Sequence, residues 1–258
     1  MDQLSPRRIK RYGWVRDLPD HRDFIYSAPL AVQEALPTKV DLRSQCPPVY
    51  DQGQLGSCTA NAIAGALHFD ELKQKMRNSF VPSRLFIYYN ERSIEGTVSS
   101  DSGAQLRDGV KAVSKLGVCP EPEWPYDISK FTDKPPPNVY KDAKRDLAKN
   151  YLRIPQILTQ MKGCLAAGFP FVFGFTVYQS FESAAVAKSG MVPMPKHSEQ
   201  VLGGHAVCTV GYDDSQEVFI VRNSWGPKWA KKGYFFMPYN YMIDPQLASD
   251  FWTLRQLT

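Results

Sequence analysis

A thiol, an imidazole and a carboxamide recur along this chain where each meets a change of local texture. Cys58 closes the glycine-rich turn "YDQGQLGS" and opens the alanine-rich run "CTANAIAGALHF". A cysteine at a helix start sits among unsatisfied N–H groups and a partial positive charge, which stabilise a thiolate. Its pKa then falls from the usual value of about 8.5, and the thiolate is the nucleophilic form. The small residues before it leave backbone exposed for a close-lying substrate. A lone cysteine is nonetheless more often a buried structural thiol, so the junction does not decide the matter alone. Of the four histidines, His68 falls on the same helical run, His21 lies near the N-terminus and His197 sits in the polar loop "PKHSEQ". His205 differs: it follows two glycines and opens the apolar strand "HAVCTVGY". Farther on, "VRNSWGPKW" puts Asn223 at the end of another strand, with Trp225 beside it. Such an Asn can accept the second ring N–H of a histidine and fix its tautomer, while Trp225 covers that bond from water. Taken alone, Asn223 reads more readily as a turn residue between strands.

The elements that must hold these groups fall into two kinds. Residues 58 to 75 space apolar side chains at helical intervals. A second helix is predicted in "SRLFIYYNERSIEG", capped by Ser83, and a third in "SGAQLRDGVKAVSKLG", closing at Gly117. The proline-dense stretches "PEPEWPYD" and "DKPPPN" are expected to exclude regular structure and to connect two halves. After one more helix in "PQILTQMKGCLAAG", the runs "FPFVFGFTVY", "GHAVCTVGYDD", "EVFIVRNSW" and "GYFFMPYNY" read as strands. Helices first and strands later indicate an α+β protein with a helical lobe and a β lobe.

The chain has 258 residues, 43% hydrophobic and 22% charged, enough for a sizeable core without metals or bridges. A net charge of +5, spread diffusely, does not point to nucleic acid. No apolar run reaches the roughly 20 residues that span a bilayer. The N-terminal stretch is not a secretory signal as it stands, which sets the expectation of a cytoplasmic protein, export by another route being the alternative. The five cysteines, Cys46, Cys58, Cys119, Cys164 and Cys208, form no C-x-x-C pair, which argues against a zinc site. Cys46 and Cys119 lie in Pro-rich loops where a bridge between them is an open possibility. Residues 1 to 35 carry six basic and five acidic residues and an aromatic cluster, and read as an extension, not a domain.

In order, these blocks resemble the papain-like cysteine peptidases. "LPTKVDLRS" is similar to the family's mature N-terminus and "QGQLGSCTA" to its nucleophile block. "DSGAQLRDGVKAVSKLGV" resembles its cleft wall, "GGHAVCTVGYDD" its histidine block and "VRNSWGPKWAKKGYF" its asparagine block. His205 lies 147 residues after Cys58, within the family's separation of about 130–150. The resemblance implies a two-lobed fold, helical mainly over 50–130 and β-barrel-like mainly over 150–240, within a peptidase domain of residues 36–258. It implies Cys58 as nucleophile, His205 as base and later acid, Asn223 as the orienting group, and Gln52 as an oxyanion-hole donor. Ser102 and Gly103 become cleft-wall residues, the bare backbone of Gly103 pairing with an extended peptide. Gly174, Gly204 and Trp225 become substrate-binding residues, and Gly174 leaves room for a large apolar side chain.

The implied activity is endopeptidase hydrolysis through a thioester, by a monomer, with neither metal nor organic cofactor and a peptide or protein as substrate. The chain departs from the family at Leu55, where a bridged cysteine is usual, at "SSDSG", which lacks the partner cysteine, and at Thr59, where an aromatic is usual. Those absences and the short extension point to a bacterial member. Two expectations stand for residues 1–35: a segment lying across the cleft and restraining activity, or an arm clamped to the surface. Rival readings of the chain are a Cys–His acyltransferase or amidase acting on a non-protein substrate, and an inactive protein-binding module.

Overall fold

In a computed structural model, which describes residues 12–76 and 79–257, the chain folds around one buried helix laid against an open antiparallel sheet. In chain order the elements are β1 (Trp14–Val15), α1 (Leu30–Glu34), β2 (Lys39–Asp41), α2 (Cys58–Lys73), α3 (Arg84–Glu95), β3 (Ala104–Gln105), α4 (Leu106–Leu116), α5 (Pro137–Ala143), β4 (Ala148–Arg153), α6 (Leu158–Ala166), β5 (Phe171–Tyr178), α7 (Ala184–Ser189), β6 (Val201–Asp213), β7 (Val218–Arg222), β8 (Tyr234–Pro238), α8 (Tyr239–Ile243) and β9 (Ala248–Leu257).

Helix α2 is buried on every side from Cys58 to Glu71, the behaviour of a helix in the middle of a core and not on its surface. Its polar residues are satisfied inside: Thr59 donates to Glu91 (2.8 Å) and Asn61 to the Ser57 carbonyl (2.9 Å), while Tyr50 bonds His68 Nδ1 (2.7 Å). Helices α3 and α4 pack beside it. The Ser83 hydroxyl caps α3, accepting from the Phe86 N–H at 3.2 Å, and Gly96 ends the helix in a left-handed conformation.

The large sheet runs β4-β9-β5-β6-β7-β8, with β2 added along β6. All its pairings are antiparallel, and the sheet is open rather than closed into a barrel. Phe171, Phe173 and Phe175 of β5 and Phe219 of β7 are completely buried. The sheet also includes β4 and β9, so β structure extends to Leu257, past the end expected for the strand-rich half.

One sequence expectation needs correction. "DKPPPN" is not wholly irregular, because α5 begins at Pro137, where a missing N–H removes no helical hydrogen bond. All five cysteines are free thiols, Cys46 and Cys119 included. Residues 24–35 are more than an appendage. Tyr26 and Ala28 belong to the core, the Tyr26 N–H donates to the Arg153 carbonyl (2.8 Å) and the Ala28 N–H to Gln160 Oε1 (2.8 Å).

Candidate active site

Cys58 is the first residue of α2, and the backbone N–H groups of Ala206 and Gly13 face its sulfur and favour the thiolate. Ala206 is the residue after His205 on β6, so packing α2 against this strand carries the thiol to the imidazole. His205 pairs across the sheet with Phe175 and is fully buried. Its Nε2 lies 2.8 Å from Asn223 Oδ1. The Asn223 amide is oriented by a second bond, because the same oxygen accepts from the Ser224 N–H at 2.9 Å. The ring therefore donates through Nε2, leaving Nδ1 as the nitrogen that can exchange a proton. Trp225 covers the pair, its ring centroid 5.2 Å from that of His205.

Gln52 reaches the same place by a different tie. Its backbone N–H donates to the Ser224 carbonyl (2.9 Å), and the Gly226 N–H to the Tyr50 carbonyl (2.9 Å), so the loop before Cys58 is stitched to the loop after Asn223. The side-chain Nε2 donates to the Leu55 carbonyl (3.0 Å) and Oε1 accepts from the Ser224 hydroxyl (2.5 Å). The carbonyl can only accept, so the amide is held NH₂-inward with a second hydrogen to donate.

The described part of the N-terminal segment lies across this constellation. Trp14–Val15 pair in parallel with Ala104–Gln105, and the Ala104 N–H donates to the Gly13 carbonyl at 2.8 Å. The fit is set by glycines. A Cβ on Gly13 would stand 1.7 Å from the Gly56 carbonyl oxygen, and one on Gly103, itself at φ +74°, 2.2 Å from the Gly13 oxygen. A Cβ on Gly174 would stand 1.9 Å from the Trp14 indole, and one on Gly204 2.5 Å from the Trp14 carbonyl oxygen. Trp14 thus fills the recess that Gly174 leaves, and its Nε1 donates to Asp250 Oδ2 at 3.2 Å. On the other side of Cys58, Tyr12 lies edge-on to His205 (5.7 Å between centroids) and donates its hydroxyl to Glu182 at 2.7 Å.

Of the residues expected at the site, Cys58, His205, Asn223, Gln52, Gly103, Gly174, Gly204 and Trp225 converge here. Ser102 is turned away: its hydroxyl is engaged within its own loop, on Thr97 (2.8 Å) and the Gly103 carbonyl (2.9 Å). Tyr12, Gly13, Trp14, Glu182 and Asp250 were not foreseen individually. Only the aromatic cluster and the small-residue spacing of "YGW" hinted at the first three.

The electrostatics differ from the expectation for a helix-start thiol. Burial pushes the Cys58 thiol up to about 12, with the Ala206 and Gly13 N–H groups opposing the rise. In this arrangement the sulfur is fully sequestered, and desolvation of the thiolate outweighs the helix terminus. A second group of charges pins the segment farther along. Asp23 is bound by Arg107 (2.7 Å) and Arg153 (3.1 Å), and Arg107 also donates to the Leu18 carbonyl (2.6 Å). The Asp17 N–H donates to Asp250 Oδ2 (2.8 Å), and Arg153 reaches Asp250 Oδ1 (3.2 Å).

Residues 36–250 match the model of the papain family cysteine proteases. The chain belongs to that family. It is accordingly a hydrolase of the cysteine endopeptidase type, in a family that acts on peptide substrates. Over 273 aligned residues it is 45% identical to an uncharacterized peptidase C1-like protein of Acanthamoeba polyphaga mimivirus, with 96% of this chain and 88% of that one covered. The crystal structure of xylellain, a cysteine protease from Xylella fastidiosa, superimposes with a TM-score of 0.90 at 47% identity, covering 98% of each chain. Digestive procathepsin L 3 of Tenebrio molitor larval midgut shares the fold, with a TM-score of 0.73 at 18% identity over 98% of this chain and 77% of that one. Within the papain family, the two-lobed α+β fold is thus common to close and distant relatives.

Proposed function

We propose that this papain-family protein cleaves peptide bonds with Cys58 as nucleophile, and that its own residues 12–23 hold the enzyme in a resting state. In the working form His205 takes the thiol proton through Nδ1, and the sulfur attacks the scissile carbonyl. His205 then gives the proton to the leaving amine, and water hydrolyses the thioester. Asn223 keeps the ring in the tautomer that makes this relay possible. The second Gln52 amide hydrogen and the Cys58 backbone N–H stabilise the tetrahedral oxyanion.

One observation carries the restraint: the segment presents an N–H, that of Gly13, to the Cys58 sulfur. A substrate must present a carbonyl carbon there. The segment pairs with β3 in parallel, uses the recess at Gly174, and turns its reactive carbonyl toward the Ala104 N–H instead. It occupies the cleft without offering a bond to attack.

The test keeps the chain whole. Gly13→Ala places a methyl group on the Gly56 carbonyl and should expel the segment. Iodoacetamide labelling of Cys58 and turnover of a fluorogenic peptide are compared in the parent and in Gly13→Ala, each beside its Cys58→Ala control. Faster labelling and faster turnover in Gly13→Ala, both lost with Cys58, are expected. Equal rates in parent and variant would remove the restraint but leave the peptidase. Turnover that survives Cys58→Ala would remove the nucleophile.

A further inference from the structure

Beyond Tyr12 the cleft opens into a groove of about 640 Å³, between the turn after β5 and the segment leading into β6. Gln179, Glu182, Lys196, Glu199, Gln200 and Leu202 line it. Its relation to the chemistry is fixed by Tyr12, which bridges from the His205 ring (5.7 Å between centroids) to Glu182 (2.7 Å). Tyr12, Gly13 and Trp14 are consecutive, with Gly13 on the Cys58 sulfur and Trp14 in the recess at Gly174. The groove therefore continues the cleft on the side opposite that recess. In the mechanism proposed above, the leaving amine takes its proton from His205, so the residues after the scissile bond depart toward Glu182.

The charges in the groove favour one kind of occupant. Glu199 accepts from the backbone N–H groups of Ser180 and Lys196, both at 3.1 Å, and these bonds hold its carboxylate as a fixed anion. Lys196 offsets part of that charge, and Glu182, linked to the imidazole side of the groove through Tyr12, adds a second carboxylate. The chain's own sequence is complementary, because four of the five residues before Tyr12 are basic: Arg7, Arg8, Lys10 and Arg11. We propose that this groove binds the leaving-group half of a peptide substrate and selects Lys or Arg within the first few residues after the scissile bond, with Glu182 and Glu199 as the specificity residues. This inference rests on the peptidase reading above and adds a substrate class to it.

The test is a competition between two internally quenched peptides offered to the full-length Gly13→Ala protein. The peptides share one acyl half and carry either Lys or Glu at the second and third positions after the bond, with the cut located by mass spectrometry. A ratio of kcat/KM cancels the fraction of molecules whose cleft is open. The Lys peptide is expected to be preferred on the order of tenfold at low salt. The preference should shrink at about 1 M salt, where exposed charges are screened within a few ångströms. Glu182→Gln should cut it about threefold or more, and Glu182→Gln with Glu199→Gln should bring it near unity. If the double variant fails to fold because Glu199 ties two loop amides, Glu182→Gln alone decides. Cleavage of both peptides without preference, or a preference that Glu182→Gln leaves unmoved, overturns the assignment and spares the peptidase reading. Absence of cleavage together with a Cys58 that resists iodoacetamide overturns both.

Discussion

The buried carboxylates behind Trp14 make the proposed resting state sensitive to pH, in a direction that can be worked out. Asp17 of the N-terminal segment is 4% exposed and Asp250 of β9 is 1% exposed. Facing them are Arg107 of α4 and Arg153 of β4, with Asp23 of the segment itself shared by both guanidiniums. Three aspartates thus meet two arginines. Asp250 accepts from Trp14, the Asp17 N–H and Arg153, but Asp17 Oδ1 has no hydrogen-bond partner among the described residues. Burial and the neighbouring Asp250 push Asp17 up to about 7, from 3.8, with the two arginines opposing. Burial raises Asp250 as well. The docked segment therefore binds a proton that the released segment gives up, so docking is strongest in acid and is lost as pH rises through about 7. Between the released and docked values the docking constant falls about tenfold per pH unit, which makes the loss from about pH 5 to about pH 8 on the order of 10². The assay is peptide turnover by the full chain divided by that of Gly13→Ala, across that range, so that the intrinsic pH profile cancels. The ratio should climb with pH. Asp17→Asn, which keeps the shape and copies the protonated state, should hold the ratio low and flat. A parent ratio that stays flat or falls with pH, or an Asp17→Asn protein freed at every pH, refutes the reasoning.

Other outcomes follow from single contacts. Gln52→Ala in the Gly13→Ala background removes one oxyanion donor and should lower kcat by roughly 10²–10³ with little change in KM, as steady-state kinetics will report. Gly174→Ala drives a methyl group into the Trp14 ring, 1.9 Å from the ideal Cβ; Cys58 should label faster, and the released enzyme should turn from large toward small side chains at that subsite. With all five cysteines free, the thermal midpoint should be the same with and without dithiothreitol; a fall with reductant would reveal a bridge.

Much of this site was legible because its parts have local causes. The thiol at the start of α2 follows from "LGSC" running into an alanine-rich helix, and the Ser83 cap and the Gly96 and Gly117 helix ends are written in their residue types. The strands carrying His205 and Asn223 announce themselves by β-branched and aromatic runs. What was hidden depends on groups far apart in the chain. Asp250 reads as an ordinary strand aspartate until β9 is laid between β4 and β5, where it meets Trp14 and Asp17 more than 230 positions away. β9 itself was missed since "ASDFWTLRQL" mixes charges with apolar residues and lacks clean alternation. The Pro-rich run hid α5 because only its last proline begins the helix. The thiol's pKa went astray for a related reason: the helix terminus is local, but the burial that overrides it is built by elements distant in the chain.

The glycines of the cleft are what would let one surface serve both the proposed resting state and the working one. Gly103, Gly174 and Gly204 sit on three different elements, and each is closed to any Cβ by a single dipeptide, Gly13–Trp14. On the proposed function a peptide substrate needs the same absences: bare backbone at Gly103 to pair with, and a recess at Gly174 for a side chain. On the proposed reading the segment meets them through its parallel pairing with β3, with the Gly13 carbonyl bonded to the Ala104 N–H and not turned to the sulfur. A side chain added at Gly103 or Gly174 to loosen the segment would also damage the proposed substrate site, whereas a change in the segment itself, such as Gly13→Ala, would not. A reversible control of the proposed restraint is best placed outside the shared surface. The carboxylate and guanidinium groups around Asp17, Asp23 and Asp250 stand just there, gripping the segment beyond Trp14 where the stretch of cleft that touches the thiol has ended.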